Sequence, residues 1–346
     1  MTKARDNADG GASEFSELTD TTVSTSDPAV DSNPASGLGH IWENKTSGEM
    51  YVLTDATAGA NVWTNVGDGA GNIAPAPVVT GGTVTTSGIY TIHTFTSSGN
   101  LTVTNQSRDN VEYVVVAGGG GGGVDDGGGG GAGGYRSSVV GEPSGGGASA
   151  ESKLTLATGS YSIVVGAGGT GTVDSSTDGT NGGDSTLSTI TSAGGGAALQ
   201  YSSNGGGSGG GQGNNSSVAV GAGTSGQGFA GGPKRSDGTQ GGGGGGGAAE
   251  VGSADGPSHG GDGVSSSING SATFRAGGGG AGNRGSTGTP GDGGGGTGGY
   301  YNNSLPTAGS ANTGGGGGGG QGISNLSRDG ANGGSGIVIL RYPTPS

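Results

Sequence analysis

Cysteine is absent from the 346-residue chain, which rules out disulfides and thiolate metal sites. Aromatic residues are scarce at 4%, and apolar residues of all kinds reach only 27%. A chain of this length ordinarily builds one to three domains around Leu, Ile and Phe; this one has too few of them for most of its length. No apolar run approaches the roughly 20 residues of a membrane-spanning helix. Residues 1–20 lack the apolar core of a secretory signal, so export by that route is not expected. Basic residues are few, 12 against 26 acidic, for a formal net charge of −14. Without a Lys/Arg cluster the chain is a poor match for nucleic acid or an anionic membrane surface. No segment carries a convincing helical period, so essentially no α-helix is expected.

Glycine is what the chain has in abundance: 95 residues, of which 82 fall in the 229 positions from Gly118 onward. Ten runs of three or more consecutive glycines lie between Gly118 and Gly320, the longest being Gly241 to Gly247 and Gly314 to Gly320. They follow no G-X-Y period, which excludes collagen. β-type sequence enters before the runs, at Val111 to Val116, and returns after them, at Ile337 to Tyr342. A disordered Gly/Ser spacer has no reason to be closed by strands on both sides.

Ordering a glycine costs on the order of 1–2 kcal/mol, and side-chain burial cannot offset that here. The polyglycine II helix offers another route. It is an extended, left-handed, three-fold helix without internal hydrogen bonds, so its N–H and C=O groups point outward. Bare neighbours can approach until these groups pair, and close Cα–H···O contacts add about 0.5–1 kcal/mol each. At ~3.1 Å per residue a six-residue run spans about 19 Å. Such a core, main chain packed on main chain, tolerates no Cβ at its central positions.

Residues 1–38 are polar and acidic, and Asp27-Pro28 and Asn33-Pro34 break any helix. They read as an extended arm that docks onto another protein, or as a flexible tail. Residues 39–69 read as a small β module. Ile41-Trp42 and Tyr51-Val52-Leu53 flank a turn at Ser47-Gly48-Glu49, Asn61 to Val66 supplies a third strand, and the two tryptophans pack as a mini-core. A linker at 70–82 leads to a large domain over 83–346, with strands expected at 90–95, 101–103, 111–117, 153–157, 160–165, 186–192, 264–275 and 336–342. Two segments, 182–190 and 260–268, look related, each reading as a turn, a strand and entry into a glycine run. The expected fold class is all-β: a small N-terminal β module, then a β-sandwich fused to a bundle of packed polyglycine II helices.

Motifs that carry chemistry are sparse. Tyr161 to Val165 precedes Gly166-Ala167-Gly168-Gly169-Thr170-Gly171, a formal G-x-G-x-x-G, but Thr172 to Gly179 cannot begin the helix that a dinucleotide site needs. Gly231-Gly232-Pro233-Lys234 is not a P-loop. His40, His93 and His259 have no partner at metal-ligand spacing. Asp125-Asp126 and the group Asp174, Asp178 and Asp184 match no standard calcium loop and read as solvated turns. No carboxylate pair stands out as an acid/base couple. No cofactor, metal or enzymatic activity is therefore expected.

The loops between glycine runs hold most of the large side chains of this region. Tyr135-Arg136, Tyr201, Lys234-Arg235 and the cluster Tyr300-Tyr301-Asn302-Asn303 are the candidates for binding a receptor, while Phe229 and Phe274 read as caps on the bundle. Tyr, Asn, Ser and Gly form adaptable binding surfaces, and a rigid scaffold presenting loops is a common way to carry them.

The string Tyr90 to Val103, Val111 to Gly123, interrupted glycine runs and Gly333 to Tyr342 resembles the glycine-rich domain of phage tail-fibre and related virion proteins, especially of marine phages. Met1 to Asp6 and Leu53 to Gly69 also resemble the N-terminal parts of such fibre proteins. More loosely, the chain resembles the distal tail-fibre adhesins of T-even-type phages, from which it departs by carrying N-terminal modules of its own. The resemblance implies an extracellular, virion-borne adhesin that binds a host surface receptor, a glycan or an outer-membrane protein, through loops between polyglycine helices. Docking to other tail or fibre proteins through residues 1–38 and assembly as a homo-oligomer, a trimer first, are expected with it. Three other readings compete. One is a virion decoration or head-fibre protein without receptor binding. Another is an ice-binding protein, against which the lack of short regular repeats counts. The third is a polysaccharide-degrading spike.

Overall fold

The computed structural model describes residues 20–66, 76–173, 178–301, 304–322 and 329–344. Among these residues there are strands and extended chain and no helix, so the all-β class holds. The chain divides into two compact units, Met1–Val78 with Val103–Ser107, and Val79–Thr102 with Arg108–Ser346.

The small unit is a four-stranded sheet. Strand β1 (Thr21–Ser24) runs parallel to β2 (Ile41–Asn44), and β3 (Glu49–Asp55) and β4 (Val62–Asn65) follow antiparallel. Gly48, at φ +79°, supplies the left-handed residue that closes the β2–β3 turn. Trp63, Tyr51 and Leu53 form the core, and Trp42 packs edge-on against Trp63 with ring centroids 5.8 Å apart.

Residues 20–38 belong to this sheet rather than to a separate arm, so the boundary read at 38 falls inside one unit. Asn61 donates to Ser32 O and Asn33 Oδ1 at 2.8 Å, and Trp42 Nε1 donates to Ser26 O at 2.9 Å. Buried His40 lies between the hydroxyls of Thr22 and Ser36. Four β-prone residues between acidic neighbours are too short a signal to be read as a strand without the partner they pair with. Residues 1–19 of the expected arm, and residues 67–75 around the start of the linker, lie outside the described residues.

The large unit contains two stacked sheets. Its strands are β5 (Val78–Thr80), β6 (Thr83–Ser87), β7 (Tyr90–Phe95), β8 (Gly99–Thr104), β9 (Arg108–Val116), β10 (Tyr135–Ser137), β11 (Leu154–Leu156), β12 (Gly159–Val164), β13 (Ser185–Leu187), β14 (Ile190–Ser192), β15 (Val264–Ser266), β16 (Thr273–Arg275) and β17 (Ile337–Pro343). One sheet has the order β10-β9-β17-β7-β6, with β11 also on β9; the other has the order β14-β13-β12-β8-β5. The last strand of the chain thus sits at the centre of the first sheet, between β7 and β9.

Both faces of β9 and β17 are covered, which is why Val111 to Val116 and Ile337 to Leu340 read as unbroken apolar runs rather than alternating ones. Val114, Val116, Ile337 and Ile339 pack on one side with Tyr135, Val139, Val264 and Ile268, while β13 and β14 cover the other. The polar exception is Glu112, buried opposite Arg341, to which it is bonded at 2.8 Å, with Lys153 at 3.1 Å.

The expected strands 186–192 and 264–275 are each a hairpin instead: β13–β14 turns at Ser188 (φ +55°), and β15–β16 turns through a loop containing Gly270 (φ +91°). The related segments 182–190 and 260–268 therefore share a different plan, a glycine stretch, a hairpin, then a second glycine stretch.

The glycine runs form the rest of the unit, and their pairing has the three-fold period of polyglycine II. Along 118–123 the amides of Gly118 and Gly121 donate to Gly183 and Thr180, those of Gly119 and Gly122 to Gly334 and Ala331, and those of Gly120 and Gly123 to Gly131 and Gly128. All three neighbours run antiparallel to 118–123. Its carbonyls accept from three others that run parallel to it: Gly195 and Ala198, Gly169 and Thr172, Gly317 and Gly320. These twelve bonds measure 2.7 to 3.2 Å, and they give one extended chain six neighbours with every amide and carbonyl paired.

A Cβ built on Gly119, Gly120, Gly121 or Gly122 would meet the carbonyl oxygen of Gly315, Gly196, Thr170 or Gly318 closer than 3.0 Å, so a Cα–H points at each of those oxygens. Per residue, about 1 kcal/mol from the amide bond and about 0.5–1 kcal/mol from the Cα–H contact match the on-the-order-of 1–2 kcal/mol cost of ordering. The formal G-x-G-x-x-G at 166–171 is one of these stretches, with Gly169 N donating to Gly119 O and no helix among the described residues that follow.

Candidate functional site

Which loops share an end follows from the direction of each stretch. Residues 117–123 continue from β9, so they leave the sandwich and end far from it; 127–134 return and enter β10. Stretches 166–172, 193–198 and 314–320 run parallel to 117–123, so residues 173, 199–203 and 321–322, which follow them, lie at the far end. Stretches 208–212 and 276–283 run antiparallel to 127–134, which puts 213–220 and 284–287 there too. Stretch 241–248 runs parallel to 127–134, so 234–240, which precede it, join them. Stretch 295–299 runs parallel to 314–320 and delivers Tyr300 and Tyr301 to the same place.

Five of the sequence candidates therefore meet at one face: Tyr201, Lys234, Arg235, Tyr300 and Tyr301. Tyr201 is 63% and Tyr301 58% exposed, while Tyr300 is half-buried and held by a bond from its amide to Ser304 O at 2.9 Å. Asn302 and Asn303 lie outside the described residues.

Tyr135 and Arg136 do not belong with them. They form β10 at the opposite end, and Tyr135 is 0% exposed within the apolar core, so it cannot touch a receptor. Arg136 holds Glu151 through Nε at 2.7 Å and Nη2 at 2.6 Å, and Glu151 also accepts from Tyr113 OH at 2.7 Å. The sequence shows Tyr-Arg after a glycine run and reads it as a loop; the strand is only three residues long, and its partner 114–116 comes from before the run. Of the expected caps, Phe229 lies within the bundle, its amide donating to Gly247 O, whereas Phe274 is exposed on β16.

Asp126, read from the sequence as part of a solvated turn, is the hub of the far face. Its carboxylate accepts from Arg284 Nε at 2.7 Å and from the Gly322 amide at 2.8 Å, and its carbonyl accepts from the Asn214 amide at 3.1 Å. Arg284 also donates to Gly322 O at 3.1 Å, and its amide donates to Gln240 O at 3.0 Å. Lys234 Nζ donates to Asn214 O at 3.1 Å and Ser216 O at 2.9 Å, and Ser216 Oγ donates to Tyr201 O at 2.9 Å. Arg235 pairs with Asp237. Six loops are thus tied together by hydrogen bonds and ion pairs rather than by an apolar core.

Burial pushes the Asp126 carboxyl above its ordinary value, against the downward pull of Arg284 and the Gly322 amide. Both Asp125 and Asp126 sit at positive φ, +60° and +53°, a conformation that Asp tolerates better than most residues. The sequence signal was there in an acidic pair directly after the first long glycine run; its partners, 88 and more residues downstream in Asn214, Arg284 and Gly322, were not readable.

A separate group of carboxylates, Glu250, Asp255 and Asp262, brings oxygens within 4.8 Å of one another. Glu250 and Asp262 already accept main-chain amides, those of Asp262 and Asp292.

In comparison with known proteins, residues 96–343 match the family model described as a glycine-rich domain. No curated protein matches the chain.

Proposed function

We propose a role in surface attachment for this chain, which belongs to the glycine-rich domain family. In this reading it is a virion fibre protein, and the loops at the far end of the glycine bundle bind a host cell surface. The observation that carries it is the gathering of Tyr201, Lys234, Arg235, Tyr300 and Tyr301 at one face of a bundle whose other end is built into the β-sandwich. A main-chain core and the polar ties of Asp126, Arg284 and Lys234 fix the loops without using the exposed rings of Tyr201 and Tyr301, which leaves those rings for a partner. The virion setting rests on the resemblance to phage fibre proteins. Docking to other fibre or tail proteins through the N-terminal residues and trimeric assembly are parts of the same proposal. The reading assigns no catalytic step.

Labelled protein incubated with a panel of bacterial strains tests it. Attachment to at least one strain, lost in the Tyr201→Ala, Tyr301→Ala double variant, is the expected result. Protein that enters particles yet attaches to no strain would instead be a structural decoration, and the proposal would fall.

A further inference from the structure

The cations of the far face are, among the described residues, already committed. Arg284 is spent on Asp126 and Gly322 O, Arg235 on Asp237, and two of the Lys234 ammonium protons on main-chain oxygens. Against these three cations stand Asp125, Asp126 and Asp237, with Asp178 and Asp329 at the same end. Among the described residues an anionic partner would meet no uncommitted cation and more carboxylates than cations.

Beside those carboxylates, what the face offers outward is uncharged. The rings of Tyr201 and Tyr301 are exposed, and the loop bonded to Tyr201 presents Ser217 and Asn215, the latter also donating to Asp125 Oδ2 at 3.3 Å. The two rings lie on loops that also carry hydroxyls and amides, with the exposed side chains of Val218 and Leu305 on the same face. A sugar ring has matching chemistry: a C–H face to lie against tyrosine, whose body is apolar and whose tip is polar, and hydroxyls for Asn and Ser.

We infer that the far face binds an uncharged saccharide, stacked on Tyr201 and Tyr301, and discriminates against anionic glycans. This rests on the attachment reading above and narrows it.

The full chain is tested on immobilised polysaccharides, with dextran, mannan and galactan as uncharged probes and alginate, polygalacturonate and heparin as anionic ones. Each is run at about 0.1 M and about 1 M salt, which shortens the screening length roughly threefold. The expected result is retention on an uncharged probe, unchanged by salt and weakened about tenfold or more by Tyr201→Ala or Tyr301→Ala. Both tyrosines are exposed, so an unaltered melting curve separates lost contact from lost fold. Retention on no uncharged probe overturns the inference. Binding to anionic probes alone and its loss at high salt would show a charge-driven site; attachment to cells that protease treatment abolishes would show a protein receptor. Either leaves the attachment proposal standing, whereas absence of attachment to any cell defeats both.

Discussion

Replacing Gly121 by alanine adds one methyl group to the centre of the bundle, and the structure says what that methyl meets. Gly121 N donates to Thr180 O, its carbonyl accepts from Ala198 N, and a Cβ would lie closer than 3.0 Å to the carbonyl oxygen, the carbonyl carbon and the next amide nitrogen of residues 170 and 171. Ordinary contact begins at 3.4 Å, so that main chain must retreat. The same retreating chain donates Gly169 N to Gly119 O at 2.8 Å and Thr172 N to Gly122 O at 3.0 Å. Moving it by half an ångström or more stretches those bonds past their useful length and leaves buried groups unpaired, at about 1–3 kcal/mol apiece. Two to three such bonds give a loss on the order of 3–6 kcal/mol, a large part of the roughly 5–15 kcal/mol that holds a domain together. In a unit of this size that is a fall in melting temperature of about 10 °C or more.

Gly99→Ala is the control. Gly99 sits in β8, and its Cβ would come no closer than 3.9 Å, to Phe95. Alanine there restricts the unfolded chain without a clash and should be neutral or stabilise by about 0.4–1 kcal/mol. Thermal melts followed by far-ultraviolet circular dichroism decide the matter. A Gly121→Ala protein that melts with the wild type, or one no worse than Gly99→Ala, would mean that the bundle is not packed main chain on main chain.

Acid should act in two steps. Burial lowers the His93 and His40 imidazoles below 6.5, so the unfolded chain takes up protons first, and their share of stability, complete above 6.5, is lost as pH falls below it. Glu112 and Glu151 are also lowered, from 4.5; burial alone would raise them, but Arg341 and Lys153, and Arg136 with Tyr113, outweigh it. Their contribution is lost as pH drops through 4.5 and below, and a melting temperature flat from pH 7 to 3 would contradict both assignments. Asp126→Asn keeps a residue suited to positive φ but removes the charge that Arg284 pairs with; since Arg284 is half-exposed, the global cost is about 1–2 kcal/mol. Amide exchange should speed up at Gly322 and Asn214 and stay slow at 118–122, and unchanged exchange at Gly322 would remove Asp126 from the hub. Both tryptophans lie in the small unit, where Trp63→Ala should cost about 3–5 kcal/mol, read as an early transition in the fluorescence of Trp42.

The fold was legible where the sequence carries a local period or a local prohibition. Alternation gave Tyr90 to Phe95, the apolar run gave Val111 to Val116, and the purity of the glycine runs gave the bundle, because a central Cβ is forbidden whatever the neighbours are. Strand β1 was not legible: Thr21 to Ser24 are β-prone but have no apolar alternation, and only pairing with β2 makes them a strand. The hairpins at 185–192 and 264–275 read as single strands because Ser188 takes a left-handed turn without a glycine to announce it, and because the second turn is long.

The candidate site was half legible. Large side chains between glycine runs marked Tyr201, Lys234, Arg235, Tyr300 and Tyr301 correctly as residues at run ends, but the same rule caught Tyr135, which sits at the other end and inside the core. Nothing local distinguishes the two ends of a run. The difference lies in whether the chain next to it continues into a strand, and for Tyr135 that strand pairs with residues that precede the run.

This division of labour follows from the three-fold period itself. In a polyglycine II stretch successive residues face three different neighbours, so register is set by which amide faces which chain and needs no side chain to define it. Side chains are excluded from the interior and return only where a stretch ends. At the sandwich end they are absorbed by the apolar cluster around Val114, Tyr135 and Ile268. At the far end no comparable cluster exists among the described residues, and the loops are joined instead through Asp126, Arg284, Lys234 and Ser216. Polar ties of this kind fix loop geometry while leaving rings such as Tyr201 and Tyr301 in water. A face so arranged gains from covering those rings with a partner and, among the described residues, has no uncommitted cation to hold one by charge.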